Sequence, residues 1–130
     1  MRIVYDTNVL ATILLRRGEI LKLKQIVIGG LITPITSEFI LDELAEVLHS
    51  RLGLTRQRAK ANLRVYAKVA EVVKLDVIER VARDPDDDFV LATALAGQAA
   101  YILTHDKDLL VLNEYKGIKI VTPADFRKQQ

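Results

Sequence analysis

Apolar residues fall into two alternating patterns, short β-branched runs and helical stripes. Arg2-Ile3-Val4-Tyr5 is a β-rich run that stops at Asp6-Thr7-Asn8. Val9, Leu10, Ile13 and Leu14 follow at helical spacing, and Arg16-Arg17-Gly18 ends that helix. Glu19 to Ile28 predicts a second helix, apolar at Ile20, Leu21, Leu23, Ile26, Val27 and Ile28, which is broader than one surface stripe. Beyond Gly29-Gly30, Leu31 to Thr36 predicts a short strand, with Pro34 suggesting an edge or terminal position. Ser37 caps a helix reaching about Ser50, apolar at Ile40, Leu44, Val47 and Leu48. Thr55 caps a long helix to about Val72, and Val72 to Leu75 predicts a strand. Residues 76–82 are ambiguous between extended chain and a short helix.

The remaining stretch has the clearest punctuation. Asp84 is an N-cap, Pro85 the first helical residue, and Asp86 to Asp88 lie in the first turn, where the helix dipole favours negative charge. Gly97 stops the helix, and Ala100 to Leu103 is a buried-looking strand with Asp106 just past it. Leu109 to Leu112 predicts a helical turn, Ile118 to Val121 the last strand, and Pro123 opens a short terminal helix. This alternation predicts an α/β protein, a mainly parallel sheet with helices on both faces. A length of 130 residues predicts one domain.

Acids recur at matching places. Asp6 and Asp106 stand at strand ends, where open α/β sheets bind ligands. Glu43 lies three after Ile40 and four before Val47, inside an apolar stripe, where a carboxylate is costly unless paired or bound to metal. One of Asp86, Asp87 and Asp88 joins them; Asp87 is favoured because it shares a face with Val90, Leu91 and Ala94. Taken singly, each acid has a plainer reading as a cap, a dipole partner or a rim residue paired to a cation. Together they would repel, and a hard divalent cation, Mg²⁺ or Mn²⁺, removes that conflict. Such a site suits phosphodiester hydrolysis, with one ion activating water and a second stabilising the leaving oxygen.

The rest of the composition narrows the chemistry. Cysteine is absent, which excludes disulfides and thiolate sites and fits a reducing, cytoplasmic location. Of the two histidines, His49 is isolated and His105 points opposite to its neighbour if the strand continues, so zinc is not suggested. No Gly-rich phosphate loop of the Walker type occurs. Asn8 stands where a haloacid-dehalogenase-type phosphatase would need a second Asp, and a receiver domain would need an acidic pair where Asp6 stands alone. No run reaches transmembrane length, and the net charge of +2 permits nucleic-acid binding without arguing for it. Arg56, Lys60, Arg64 and Lys68 recur every four residues in a segment without acids. They form either a solvated face or a track for RNA phosphates.

Asp6-Thr7-Asn8-Val9-Leu10, Glu43 to Leu48, Asp84-Pro85-Asp86-Asp87-Asp88 and Thr104-His105-Asp106-Lys107-Asp108-Leu109-Leu110 resemble the ordered motifs of PIN-domain proteins. The resemblance is strongest to the VapC-like ribonuclease toxins of toxin–antitoxin systems and covers almost the whole chain. It implies a PIN-like three-layer α/β/α domain over 1–130 and a Mg²⁺- or Mn²⁺-dependent endoribonuclease. Such a protein is usually a homodimer and is neutralised by an antitoxin. By match, Asp6, Glu43, Asp87 and Asp106 take the acidic positions, with Asp108 and Asp88 as further candidate ligands. Asn8 and Thr104 would orient carboxylates. His105 departs from the pattern, where a small residue is commoner. The competing reading is a non-catalytic partner- or RNA-binding module of the same fold.

Overall fold

The computed structural model describes residues 1–16 and 18–130. Arg17, part of the expected helix end at Arg16-Arg17-Gly18, lies outside the described residues. β1 (Arg2–Tyr5) leads into α1 (Thr7–Leu15) and α2 (Glu19–Ile28). β2 (Thr33–Thr36) leads into α3 (Glu38–Glu46), a π-type turn over Val47–Arg51, and α4 (Arg56–Val69). β3 (Glu71–Val72) is followed by an irregular strap and α5 (Pro85–Ala96). β4 (Tyr101–Leu103), α6 (Lys107–Leu110), β5 (Glu114–Tyr115), β6 (Ile118–Val121) and α7 (Pro123–Gln129) complete the chain.

The sheet has six strands in the order β3-β2-β1-β4-β6-β5, all parallel except the β5–β6 pair. The chain steps from β1 outward through β2 to β3, then crosses back to β4 beside β1. The strand order therefore reverses between β1 and β4, and the crevice at their C-terminal ends is where this architecture binds ligands. Asp6 N donates to Leu103 O at 2.9 Å, which holds the two strand ends together. With the right-handed crossovers that parallel strands take, this strand order puts α1, α2 and α4 on one face and α5, packed on β1 and β2, on the other, the expected three-layer arrangement. Ile3, Val4, Leu10, Ile35, Leu91 and Ile102 fill the core between these layers. α3 bridges the layers, packing on α1 and on α5, where Phe39 stacks on Phe89 with ring centroids 4.0 Å apart.

The structure differs from the sequence pattern in local detail. Pro34 takes the terminal rather than the edge position, second in a strand that lies between β1 and β3. β3 pairs only with Ile35 and Thr36, so Pro34 sits beyond its reach and costs no ladder bond there. The strand expected over Val72 to Leu75 is only Glu71–Val72, both exposed, and the chain after it is extended rather than helical. β5 had no periodic signal, being two residues long. The break between α5 and β4 depends on Gly97, where a Cβ would collide with Ile35 Cγ2. Arg2 locks this corner, donating through Nε to Gly97 O at 2.6 Å and pairing with Glu71.

Candidate active site

Asp6 follows β1 and caps α1, so one residue serves the helix and the crevice together. Its Oδ1 accepts from Thr7 N at 2.8 Å, and its Oδ2 accepts from Thr104 Oγ1 at 2.7 Å. Thr104 is fully buried, and its Oγ1 also accepts from Asp106 N at 2.9 Å. Asp106 in turn caps α6, its Oδ1 accepting from Asp108 N at 2.8 Å. Two strand-end acids are thus linked through one hydroxyl, with helix starts fixing both.

Asp87 faces this pair from the first turn of α5. Among the described residues, Asp87, Asp106 and Asp108 each offer a carboxylate oxygen within 4.8 Å of the others. Asp87 is buried, and its Oδ2 has no hydrogen-bond partner. Desolvation first, then the charges of Asp106 and Asp6, push its pKa up to about 7. Burial also raises Asp6, against the Thr104 and Thr7 hydrogen bonds that lower it. Glu43, half-buried on α3, accepts from Thr7 Oγ1. Burial raises its pKa too, with Asp6, Asp86 and Asp84 adding to the effect.

The geometry sorts the expected residues. Asp6, Glu43, Asp87 and Asp106 come to one pocket, and Asp108 belongs to its tightest group. Asp88 does not face it. Its Oδ1 accepts from Val81 N at 2.9 Å and Ala82 N at 2.7 Å, and Arg80 Nε lies 3.2 Å from its Oδ2. One step along a helix turns a side chain by about 100°, enough to send neighbouring acids to different tasks. Asn8 is exposed, and its side chain makes no hydrogen bond among the described residues, so it orients no carboxylate. Thr7 does so instead, a role that its place beside Asp6 left unmarked. Lys60, Arg64 and Lys68 are exposed on α4.

A buried carboxylate oxygen without a partner, inside a cluster of like charges, is the arrangement a hard cation satisfies. The all-oxygen donor set fits Mg²⁺ or Mn²⁺ and not a soft metal.

The family described as PIN domain matches residues 2–108, a span that contains every one of these acids. The chain belongs to the PIN-domain family. No curated protein sequence matches it significantly. Among solved structures, this PIN domain is similar to VapBC2 from Rickettsia felis bound to a DNA fragment from their promoter, at 12% identity and TM-score 0.62, covering 92% of this chain and 97% of the other. At that identity the likeness is one of fold, a mostly parallel sheet flanked by helices. No helix of this PIN domain is long and apolar enough to cross a membrane, among the described residues.

Proposed function

We propose that this PIN-domain protein is a Mg²⁺- or Mn²⁺-dependent endoribonuclease that acts as the toxin of a toxin–antitoxin pair. The observation that carries the reading is the buried Asp87, whose Oδ2 has no hydrogen-bond partner and whose carboxylate lies within 4.8 Å of those of Asp106 and Asp108. Asp87, Asp106 and Asp108 would hold the ion, with Asp6 completing the negative pocket. A bound ion would supply a polarised water and charge stabilisation at the phosphate. Thr7 anchors Glu43 through Oε1, leaving Oε2 to accept the proton of the attacking water. Thr104 keeps Asp6 and Asp106 in register as charge builds on the leaving oxygen. Supporting the toxin reading is the similar fold in a VapBC complex, which makes a cognate antitoxin a proposed partner. RNA would be drawn in along Lys60, Arg64 and Lys68. A homodimer and a cytoplasmic location belong to the same proposal.

The test is cleavage of total RNA with Mn²⁺ or EDTA by wild type, Asp6→Asn and Asp87→Asn. Wild type should cut only with metal, and both variants should fold and lose activity. Metal-independent cutting, or full activity in folded Asp87→Asn, would end the mechanism. Folded protein that binds RNA without cutting it would favour a non-catalytic module. In an Asp6→Asn background, changing Lys60, Arg64 and Lys68 together to Gln should flatten the salt dependence of RNA binding by roughly two units, at about 0.7 per phosphate contact on a single strand. An unaltered slope would assign the stripe to solubility or to the antitoxin.

A further inference from the structure

A cleft of about 500 Å³ opens between α1, α2 and α7, beside the carboxylates. Tyr5 of its wall precedes Asp6, Val9 lies in the first turn of α1 after it, and His105 of its wall precedes Asp106. Its interior is apolar, with Ile13, Leu23, Leu103 and Phe126 among the lining residues. Its mouth is cationic. Arg16, Lys22 and Arg127 line it against a single acid, Glu19, which already sits 3.5 Å from Lys22 Nζ. Arg16 and Arg127 make no ion pair among the described residues. The volume is that of a small-ligand pocket.

An apolar slot with a cationic lip is complementary to a flat base that carries a phosphate. Tyr5 and His105 of the slot are the chain neighbours of Asp6 and Asp106, so a strand laid across those two acids runs beside it. An acidic pocket repels a phosphate backbone, and cations immediately beside it offset that repulsion. The geometry points to a nucleotide subsite. The cleft takes the base of one nucleotide flanking the scissile phosphodiester, and Arg16 and Arg127 hold that nucleotide's phosphate. This assignment rests on the ribonuclease reading and adds where sequence preference arises.

The test uses short single-stranded oligoribonucleotides that differ at one position, bound and cleaved by the full chain. Ala124→Trp would fill the cleft from the exposed side of α7, and Arg127→Gln would remove a cation without filling it. Each should weaken RNA binding roughly tenfold, the scale of one stacked base. Each should also erase the base preference at one position while leaving Mn²⁺ affinity unchanged. If Ala124→Trp misfolds, Arg127→Gln and Ala124→Leu carry the comparison. Unchanged affinity and preference in folded variants would overturn the subsite, even with cleavage intact. Loss of RNA binding in the variants, with a wild type that binds but never cuts, would keep the subsite and end the nuclease reading. Wild type that binds no RNA would end both. Variants that keep RNA affinity but lose an acidic amphipathic peptide would give the cleft to a protein partner and overturn the proposal.

Discussion

Thr104 joins two strands' worth of chemistry through one oxygen, since it donates to Asp6 and accepts from the Asp106 backbone. Thr104→Val keeps the shape and removes that link. Mn²⁺ affinity should fall by about 10–100-fold, the usual cost of losing a group that orients a ligand, with the fold retained. Calorimetric titration reads this directly, and wild-type affinity in the folded variant would sink the role. Asn8→Ala, by contrast, should leave affinity unchanged. The sequence alone could place Thr104 near a strand end, but it could not choose Thr7 over Asn8, because a strand-to-helix corner hides which side chain turns inward. Asp87 adds a pH signature. Its folded pKa of about 7 stands above the ordinary 3.8, so the folded protein holds a proton that the unfolded chain releases. Without metal, stability should therefore be fullest below pH 3.8 as far as this group is concerned, and fall as pH rises toward 7. Asp6 and Glu43 are raised as well and act with the same sign. In EDTA the Tm should drop between about pH 4 and pH 7, and Mn²⁺ should restore more of it at the higher pH, where Asp87 is ionised. A metal-free Tm that climbs over that window would contradict the shared acidic pocket.

At the scale of elements, α5 shows both what patterning reveals and where it stops. The cap Asp84, the N1 proline and the Gly97 stop were readable because each is a local chemical necessity. Face matching selected Asp87 for the same reason. The use of Asp88 was not readable, since its partners are backbone N–H groups of the irregular strap before α5. That strap is also tied through Glu79, which accepts from Tyr115 Oη at 3.0 Å and from Lys116 Nζ at 2.6 Å on the far edge of the sheet. Such long-range bonds leave no periodic trace, and neither do the two-residue strands β3 and β5. Asp88→Ala should strip the Val81 and Ala82 N–H groups of their acceptor. An unsatisfied buried donor costs about 1–3 kcal/mol, so the variant should be destabilised by roughly that amount or more. Hydrogen exchange at Val81 and Ala82 should speed up while Mn²⁺ affinity at saturation holds. Unchanged exchange at both amides would show that the strap is held by other contacts.

The whole molecule has two unlike ends. The carboxylates gather at the C-terminal ends of β1 and β4, and an apolar patch gathers at the opposite end, around the starts of β1 and β2. Ile28 is 85% exposed, Leu31 68% and Met1 47%. Met1 N donates to Leu31 O at 3.0 Å, which fixes these side chains near one another. Leu21, seven residues before Ile28 and so on the same face of α2, is also exposed. The breadth of apolar positions in this helix was plain in the sequence, and strand–helix alternation was enough to predict the parallel three-layer fold. Which apolar side chains the core consumes was not plain, because periodicity defines a face without naming its partner. Ile20 and Val27 pack against the core, so substitutions there would test folding. Ile28 and Leu31 are free to test association. If the proposed homodimer forms, it should use this end, which buries apolar surface and leaves the acidic crevice open. Ile28→Asp combined with Leu31→Asp should then halve the mass seen by light scattering without lowering the Tm of the monomer. A double variant that stays dimeric would move the interface elsewhere, and a monomeric wild type would remove the dimer from the proposal altogether.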